Sequence, residues 1–132
     1  MAAVMESLTS GELRIDVAEA SSPPRILLLW KGRSREREPR ATLLPFFAAT
    51  LARAIDHAAA LELHFEGLEY WSSSTITCVI HLIQDARGKG VKVVLLYNPS
   101  HKWQKLSFEA LRALAKNDGL LEIRPAGATQ GE

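Results

Sequence analysis

Short segments with the period of a β-strand alternate along this chain with longer segments that have the period of an α-helix. Strands that are joined through single helices favour parallel pairing in one sheet, because each helix returns the chain to the side where the next strand begins. The predicted order is β-β-α-β-α-β-α-β. We therefore expect a single α/β domain with a mixed sheet of about five strands and with helices mainly on one face.

The first two strands are predicted from contrasting patterns. Leu13, Ile15 and Val17 alternate with charged residues, which is typical of a strand with one buried face. Arg25 to Trp30 is an almost unbroken apolar run, which indicates burial on both faces. The turn residues Ser21 to Pro24 separate the two segments and predict an antiparallel hairpin.

A charged segment and a helix follow the hairpin. Lys31 to Arg40 holds five basic and two acidic residues and favours a solvated loop over an anion-binding patch. Thr42 can cap the next helix, and Pro45 is tolerated in a first helical turn. The helix has one apolar face, which we expect to cover the sheet: Leu44, Phe47, Leu51, Ile55 and Ala58.

The remaining segments predict two further strand and helix pairs and a last strand. Leu61 to Phe65 alternates as a strand that Gly67 stops, and Ser73 to Arg87 has helical spacing. This spacing predicts that Ile80 faces the core while His81 faces solvent. The last elements are a buried strand over Val91 to Tyr97, a helical stretch containing Trp103, Phe108, Leu111 and Leu114, and a short strand at Leu121 and Ile123.

The expected domain runs from the first predicted strand to the last, and the segment after it, residues 126–132, contains no large apolar side chain. We expect residues 1–10 to be a flexible N-terminus, residues 11–125 to form the domain, and residues 126–132 to be a flexible C-terminal tail. The start of the chain does not have the pattern of a signal peptide, and its single cysteine, Cys78, cannot form an intramolecular disulfide. A cytoplasmic location is the resulting expectation.

Charge and hydropathy exclude several classes of partner. The formal net charge of +1 gives no global field that would steer the chain onto nucleic acid or an anionic membrane. The apolar runs are also far shorter than the ~20 residues of a membrane helix. We therefore expect neither nucleic acid nor a membrane as a partner, while the oligomeric state stays open.

Catalytic and metal-binding patterns are weak. His57, His64, His81 and His101 are scattered without a second ligand at metal-site spacing, so no metal and no cofactor are predicted. A Ser-His-Asp combination of Ser74, His81 and Asp85 would lie along one helix, with about 10 Å between serine and histidine. This separation disfavours hydrolysis, and we do not expect an enzyme.

A run of hydroxyl side chains, Ser72 to Thr75, lies between the third strand and the second helix. Ligands and partners commonly dock at such junctions in open α/β sheets. The simpler alternative is that one hydroxyl caps the helix while the others fill the turn. Ser74, Cys78, His81 and Asp85 also share one stripe of the helix, which we interpret as a partner-docking surface or as an ordinary solvated face.

The segment from Leu61 to Ile76, which ends in Glu-Tyr-Trp-Ser-Ser-Ser-Thr-Ile, resembles the STAS family of anti-sigma-factor antagonists. The strand at Val91 to Tyr97 and the turn Asn98-Pro99-Ser100 match the same family, and the resemblance covers roughly residues 11 to 124. It implies a mixed sheet with helices mainly on one face. It also implies that a serine of the turn is phosphorylated by a partner kinase with anti-sigma activity and dephosphorylated by a serine phosphatase.

The resemblance assigns a place to each residue of the turn. Ser74 matches the phosphoacceptor and Ser73 the serine before it, while Ser72 stands where the family has an acidic or amide residue. Thr75 replaces the common glycine. Two hypotheses follow: a bacterial signalling module that is switched by phosphorylation, or a scaffold of a signalling complex that is never phosphorylated.

Overall fold

The structure, a computed structural model, describes residues 3–127 as one mixed sheet with three helices packed against one of its faces. The strands are β1 (Ala3–Ser10), β2 (Leu13–Ser21), β3 (Pro24–Ser34), β4 (Ala60–Trp71), β5 (Val93–Tyr97) and β6 (Leu121–Pro125). The helices are α1 (Arg40–Asp56), α2 (Ser73–Gly88) and α3 (Lys102–Leu111), and a 3-10 turn at Arg112–Leu114 follows α3.

The six strands lie in chain order across the sheet. β1, β2 and β3 form antiparallel pairs, whereas β3 to β6 pair in parallel through the three helices. Alternate residues of every central strand point toward the helices and form the core, as Leu61, Leu63 and Phe65 do on β4. The predicted fold class, a mixed sheet with helices on one face, is confirmed.

The number of strands is the first correction, because the sheet has six strands rather than about five. The additional strand β1 lies in the segment that we expected to be flexible. It pairs with β2 along its length, and Leu8 packs against the core although Val4 and Met5 are exposed. Such an edge strand is stabilised mainly by its partner, so its own sequence gives a weak signal. At the other end, the predicted tail lies outside the described residues from residue 128 onward.

Two strands also run further than predicted, because they pair with each other beyond their apolar segments. β3 continues to Ser34 through the segment predicted as a loop, and β4 continues past Gly67 to Trp71, so that Ser34 lies opposite Trp71. Gly67 does not stop β4. The pairing register shifts beside it, and a Cβ at Gly67 would lie 3.0 Å from the carbonyl oxygen of Trp30. The glycine therefore permits a close approach of two backbones.

The first helix begins earlier than predicted and is rotated. α1 starts at Arg40, and its N-cap residue is Pro39 rather than Thr42. The buried residues of this helix are Leu43, Phe47, Thr50, Leu51 and Ala54, whereas Ile55 and Ala58, which were expected in the core, are exposed.

The second helix has the predicted bounds to within one residue but is rotated as well. Its buried residues are Thr75, Cys78, Val79, Leu82, Ile83 and Ala86. Ile80, predicted in the core, is half-buried, while His81 is exposed as predicted. The apolar residues of both helices span an arc wider than one face, so spacing alone does not define which part of the arc meets the sheet.

Candidate functional site

The run of hydroxyls lies at the start of α2, directly after β4 ends at Trp71. Ser72 has extended backbone angles, and its Oγ accepts a hydrogen bond from the Thr75 backbone N–H at 3.3 Å. The Ser72 carbonyl accepts the first helical hydrogen bond, from the N–H of Ile76 at 3.1 Å. Ser72 is therefore the N-cap of α2, in agreement with the simpler interpretation of this turn.

A second hydroxyl of the turn is buried in a small polar cluster. Thr75 is fully buried, and its Oγ1 lies 2.6 Å from Oγ of Ser34 and 3.1 Å from Oγ of Ser72. The Ser72 backbone N–H also donates to the Ser34 carbonyl at 3.0 Å. Ser34 was missed by sequence reasoning, because only the pairing of β3 with β4 brings it to the start of α2. These contacts fix the turn against the end of β3.

The other two hydroxyls of the run face solvent. Ser73 and Ser74 are both exposed, and within residues 3–127 neither hydroxyl group has a hydrogen-bond partner. The Ser73 carbonyl accepts a hydrogen bond from the Thr77 hydroxyl at 3.0 Å. The first turn of a helix also favours negative charge, because its backbone N–H groups point outward there. The turn thus presents two accessible hydroxyls on a rigid base.

The predicted docking stripe is only partly on the surface. Cys78 is 1% exposed, so it cannot contact a partner and is corrected to a core residue. Burial raises the pKa of its thiol, which keeps it neutral. His81 is exposed, and Asp85 is half-buried with an oxygen 2.7 Å from Nζ of Lys89. Only Ser74, His81 and Asp85 of the predicted stripe are accessible.

The two sides of α2 meet different neighbours. Arg87 donates hydrogen bonds to the Leu114 carbonyl at 3.1 Å and to Asp118 at 2.9 Å, and both acceptors follow α3. Ile76 and Ile80 precede Arg87 by eleven and seven residues, so they share its side of the helix. This side of α2 therefore points toward α3.

The opposite side of α2 points toward α1, the helix against which α2 packs. In agreement, the positive charge of Arg40, at the start of α1, partly offsets the rise of the Cys78 pKa. Ser74 lies one turn before Cys78, so it shares this side. His81 and Asp85 continue the same stripe of the helix. The three accessible residues of the predicted docking surface thus lie along the α1 side of α2.

A buried glutamine holds the strand ends beside the site. Gln104 of α3 is fully buried, and its Nε2 donates to the carbonyls of Phe65 and Leu68, both at 2.8 Å. Its Oε1 accepts the Asn98 backbone N–H at 2.7 Å. Sequence analysis did not single out this residue, although its spacing of four to Phe108 could have indicated it. Gln104 therefore ties α3 to the second half of β4 and to the end of β5.

Among residues 3–127, no group of three or more His, Cys, Asp or Glu side chains is placed to hold a metal ion. Within the same residues, no helix is long and apolar enough to cross a membrane.

Comparison with known proteins finds similar structures but no similar sequences. No protein-family model and no curated protein sequence matches the chain. Among solved structures, it is similar to a chain of the complex between the diguanylate cyclase SiaD and its activator SiaC from Pseudomonas aeruginosa, with 15% identity and a TM-score of 0.63 over 92% of this chain and 99% of that chain. A DUF3478 protein with a SpoIIAA-like fold from Shewanella loihica has 12% identity and a TM-score of 0.54 over 90% of each chain. The chain has a STAS-like fold, as the resemblance implied.

Proposed function

We propose that this domain is a non-catalytic binding module of a cytoplasmic signalling system, and that phosphorylation of Ser74 switches its affinity for a protein partner. The partner is a protein kinase with anti-sigma-type activity, and a serine phosphatase restores the unmodified form. One observation carries the proposal. Of the four hydroxyls at the start of α2, Ser72 caps the helix and Thr75 is buried, whereas Ser73 and Ser74 are exposed and free of hydrogen bonds to residues 3–127.

The position of Ser74 suits a modification that changes the surface without unfolding the domain. A phosphate adds about −1.5 to −2 charges at pH 7, and the N-terminus of a helix stabilises negative charge. The cap and the cluster of Ser34 and Thr75 do not use the Ser74 hydroxyl, so they persist when it is modified. Phosphorylation therefore alters what a partner meets while the fold is retained.

A structural relative supports the binding role. SiaC, which is similar to this chain in fold, is the activator in a complex with the diguanylate cyclase SiaD. A domain of this shape can therefore act by contacting another protein. We extend this role to the present chain as part of the proposal, and we assign the contact to Ser74, His81 and Asp85 on the exposed side of α2.

The alternative is a scaffold of a bacterial signalling complex that is not itself phosphorylated. The role of Ser72 favours it. Where the resembling family has an acidic or amide side chain, this chain has a hydroxyl that is engaged in capping α2, so a kinase finds no carboxylate there.

Two measurements test the switch against the scaffold. Intact mass of the protein purified from its own host should show an addition of about 80 Da, the mass of one phosphate, which Ser74→Ala removes. Calorimetry with the partner that copurifies should show that Ser74→Asp weakens binding more than a hundredfold, because the interface must desolvate an unpaired charge. Ser73→Asp is the matched control, one residue away at an equally exposed position. If only Ser73→Asp disrupts binding, the acceptor is Ser73, and if neither variant matters, the scaffold replaces the switch.

A further inference from the structure

The helices α1 and α2 begin next to each other at one edge of the sheet. β3 and β4 are parallel, Ser34 at the end of β3 lies opposite Trp71 at the end of β4, and the Ser72 backbone N–H donates to the Ser34 carbonyl at 3.0 Å. A loop over residues 35–39 leads from β3 to α1, whose N-cap residue, Pro39, is buried. Because the two helices also pack against each other, the first turn of α1 and the first turn of α2 are neighbours.

Helical spacing places Arg40 on the side of α1 that faces α2. Arg53 lies on the side away from α2, because its guanidinium contacts Glu6 of β1 and Glu19 of β2. Arg40 precedes Arg53 by a separation that corresponds to about 140° around the helix at 3.6 residues per turn. Burial raises the pKa of Cys78 on α2, and the positive charge of Arg40 opposes this rise, so Arg40 acts across the space between the two helices.

The two exposed serines lie on different sides of α2. Ser74 precedes Cys78 by one turn and therefore shares the α1 side of the helix. Ser73 precedes Ile80 by two turns and shares the side that points toward α3. Of the two exposed hydroxyls, only that of Ser74 therefore lies on the same side as Arg40.

The charge of Arg40 is not neutralised by the domain itself. Arg40 is exposed, and within residues 3–127 its guanidinium has no ion pair and no hydrogen-bond partner. The two acidic residues of the preceding loop, Glu36 and Glu38, do not pair with it, and the Glu36 carboxylate lies over Gly11 instead. Three basic residues that precede the helix do pair with carboxylates: Lys31 with Asp16, Arg33 with Glu69, and Arg35 with Glu12.

We propose that Arg40 receives the phosphate of phosphorylated Ser74, through charge-assisted hydrogen bonds that join the first turns of α1 and α2. A guanidinium group suits this role, because its planar set of N–H donors matches two phosphate oxygens at once. The inference rests on the proposed function, since it takes Ser74 as the modified residue, and it adds the reason why Ser74 rather than Ser73 is suited to the switch. The phosphate then removes an exposed cation from the α1 side of α2 as well as adding negative charge there.

A chain that carries phosphoserine at position 74 from its synthesis tests the pair without any kinase. In a phosphorus NMR titration, the second pKa of this phosphate should be lower by at least about 0.5 than in the same chain with Arg40→Gln, because a neighbouring cation favours the doubly charged form. Arg40→Lys should retain part of the shift, because it keeps the charge and loses the planar donors. Phosphoserine at position 73 is the matched control, and its pKa should not respond to Arg40→Gln.

Two further substitutions separate pairing with Arg40 from the general effect of nearby charge. Arg37→Gln removes the other exposed cation of the segment before α1 that has no ion pair within residues 3–127, and Lys116→Gln removes an exposed cation beyond α3. Both should leave the pKa of the phosphate at position 74 unchanged. A pKa that does not respond to Arg40→Gln, an equal response of the phosphate at position 73, or a shift caused by Arg37→Gln instead would overturn the inference.

The proposed function fails on different measurements. An intact mass without phosphate in the protein from its own host rejects the switch, even when synthetic phosphoserine at position 74 pairs with Arg40. A phosphate pKa that is insensitive to Arg40→Gln rejects the present inference, even when the protein from its own host is phosphorylated and Ser74→Asp releases the partner.

Discussion

The two faces of the sheet are made by the same strands but are stabilised by different interactions. On β4, Leu63 and Phe65 point toward the helices and have no exposed surface, whereas Glu62, His64 and Glu66 point to the face that carries no helix among the described residues. The polar residues that alternate with apolar ones in the sequence of β4 are therefore those on the face without helices. The comparison shows how charged residues can cover a sheet face that no helix protects.

The face without helices, which we call the open face, carries ion pairs. Asp16 is 2% exposed, and a hydrogen bond from the Ser7 hydroxyl, together with contacts from Arg14 at 2.7 Å and Lys31 at 3.1 Å, holds its pKa well below the usual range. Carboxylates that are buried in this way stay charged only because they are paired. Half-buried Leu29 lies beside Asp16 in the register, so the pairs lie next to apolar surface that helices do not cover.

The centre of the open face is a histidine between two carboxylates. His64 Nε2 lies 3.1 Å from Glu62, and its Nδ1 lies 3.5 Å from Glu66. Burial disfavours the charged imidazole, but the hydrogen bonds with both carboxylates outweigh it and raise the pKa of His64 to about 9. The same hydrogen bond from His64 lowers the pKa of Glu62. Stability of this face should therefore depend on pH, whereas that of the helix-covered face should not.

The largest expected effect is on the covered face. Phe65→Ala should lower the free energy of unfolding by about 3–5 kcal/mol, because it leaves a cavity among Trp30, Trp71 and Phe108, whose rings lie 4.8–5.1 Å from Phe65. Leu29→Ala on the open face should cost about 1 kcal/mol, since this side chain is only half-buried. Urea denaturation of both variants measures the difference. Equal losses would mean that the open face is covered by something as apolar as the helices.

The next effect is the pH dependence of the open face. The folded domain holds the His64 proton up to pH about 9, while the unfolded chain releases it near 6.5. This stabilisation is complete below pH 6.5 and is lost as the pH rises through 9, by about 3 kcal/mol at most for a side chain that is 20% exposed. Denaturation curves from pH 6 to 10 should show the decline.

Two histidine variants identify the residue responsible for that decline. His64→Gln should flatten the pH dependence, while His81→Gln, at an exposed position on α2, should retain it. A decline that survives His64→Gln would assign the effect to another group.

A smaller effect is expected for the buried hydroxyls at the start of α2. Thr75→Val should cost about 1–3 kcal/mol, because it leaves the buried hydroxyl of Ser34 without its partner at 2.6 Å. The double variant with Ser34→Ala should cost less than the sum of the two single variants, because both partners are then removed. Thermal unfolding of the unmodified protein, the two single variants and the double variant measures the interaction between the two hydroxyls as a double-mutant cycle. Additive losses would show that the two hydroxyls do not interact.

The smallest effect on stability should come from the candidate acceptor. Ser74→Ala should change the free energy of unfolding by less than about 0.5 kcal/mol, because the cap is Ser72 and not Ser74. Ser72→Ala should cost about 1 kcal/mol through loss of that cap. Thermal unfolding followed by circular dichroism compares the stabilities of the two variants. If Ser74→Ala lowers the stability more than Ser72→Ala does, Ser74 and not Ser72 is the N-cap.

The local sequence pattern was sufficient to locate those elements whose position depends only on their own residues. Alternation located β2 and the first half of β4, and the serine run located the start of α2 at Ser73 to the residue. The candidate turn, Ser72 to Thr75, was therefore found before the fold was known. The role of each hydroxyl within the turn was not predicted. The exposure of Ser74 and the burial of Thr75 depend on what packs against the helix.

The strand segments that the sequence pattern did not predict are explained by pairing with neighbouring strands. β1 exists because β2 offers it a partner, and β3 reaches Ser34 because β4 continues beside it. The polar segment after Trp30 has the composition of a loop, yet backbone hydrogen bonds between neighbouring strands do not depend on side-chain hydropathy.

The sequence by itself determined the order of strands and helices from β2 onward, the mixed sheet and the position of the serine turn, since these follow from periodicity within each segment. The tertiary structure alone decided that Cys78 is buried, that Ser34 holds Thr75, and that Ile80 packs at the margin of the core, half-buried on the α3 side of α2. These features depend on the rotation of α2 between its neighbours. That rotation is set by how the side chains of α1, α2 and the sheet fill one shared volume, which no single segment of the chain encodes.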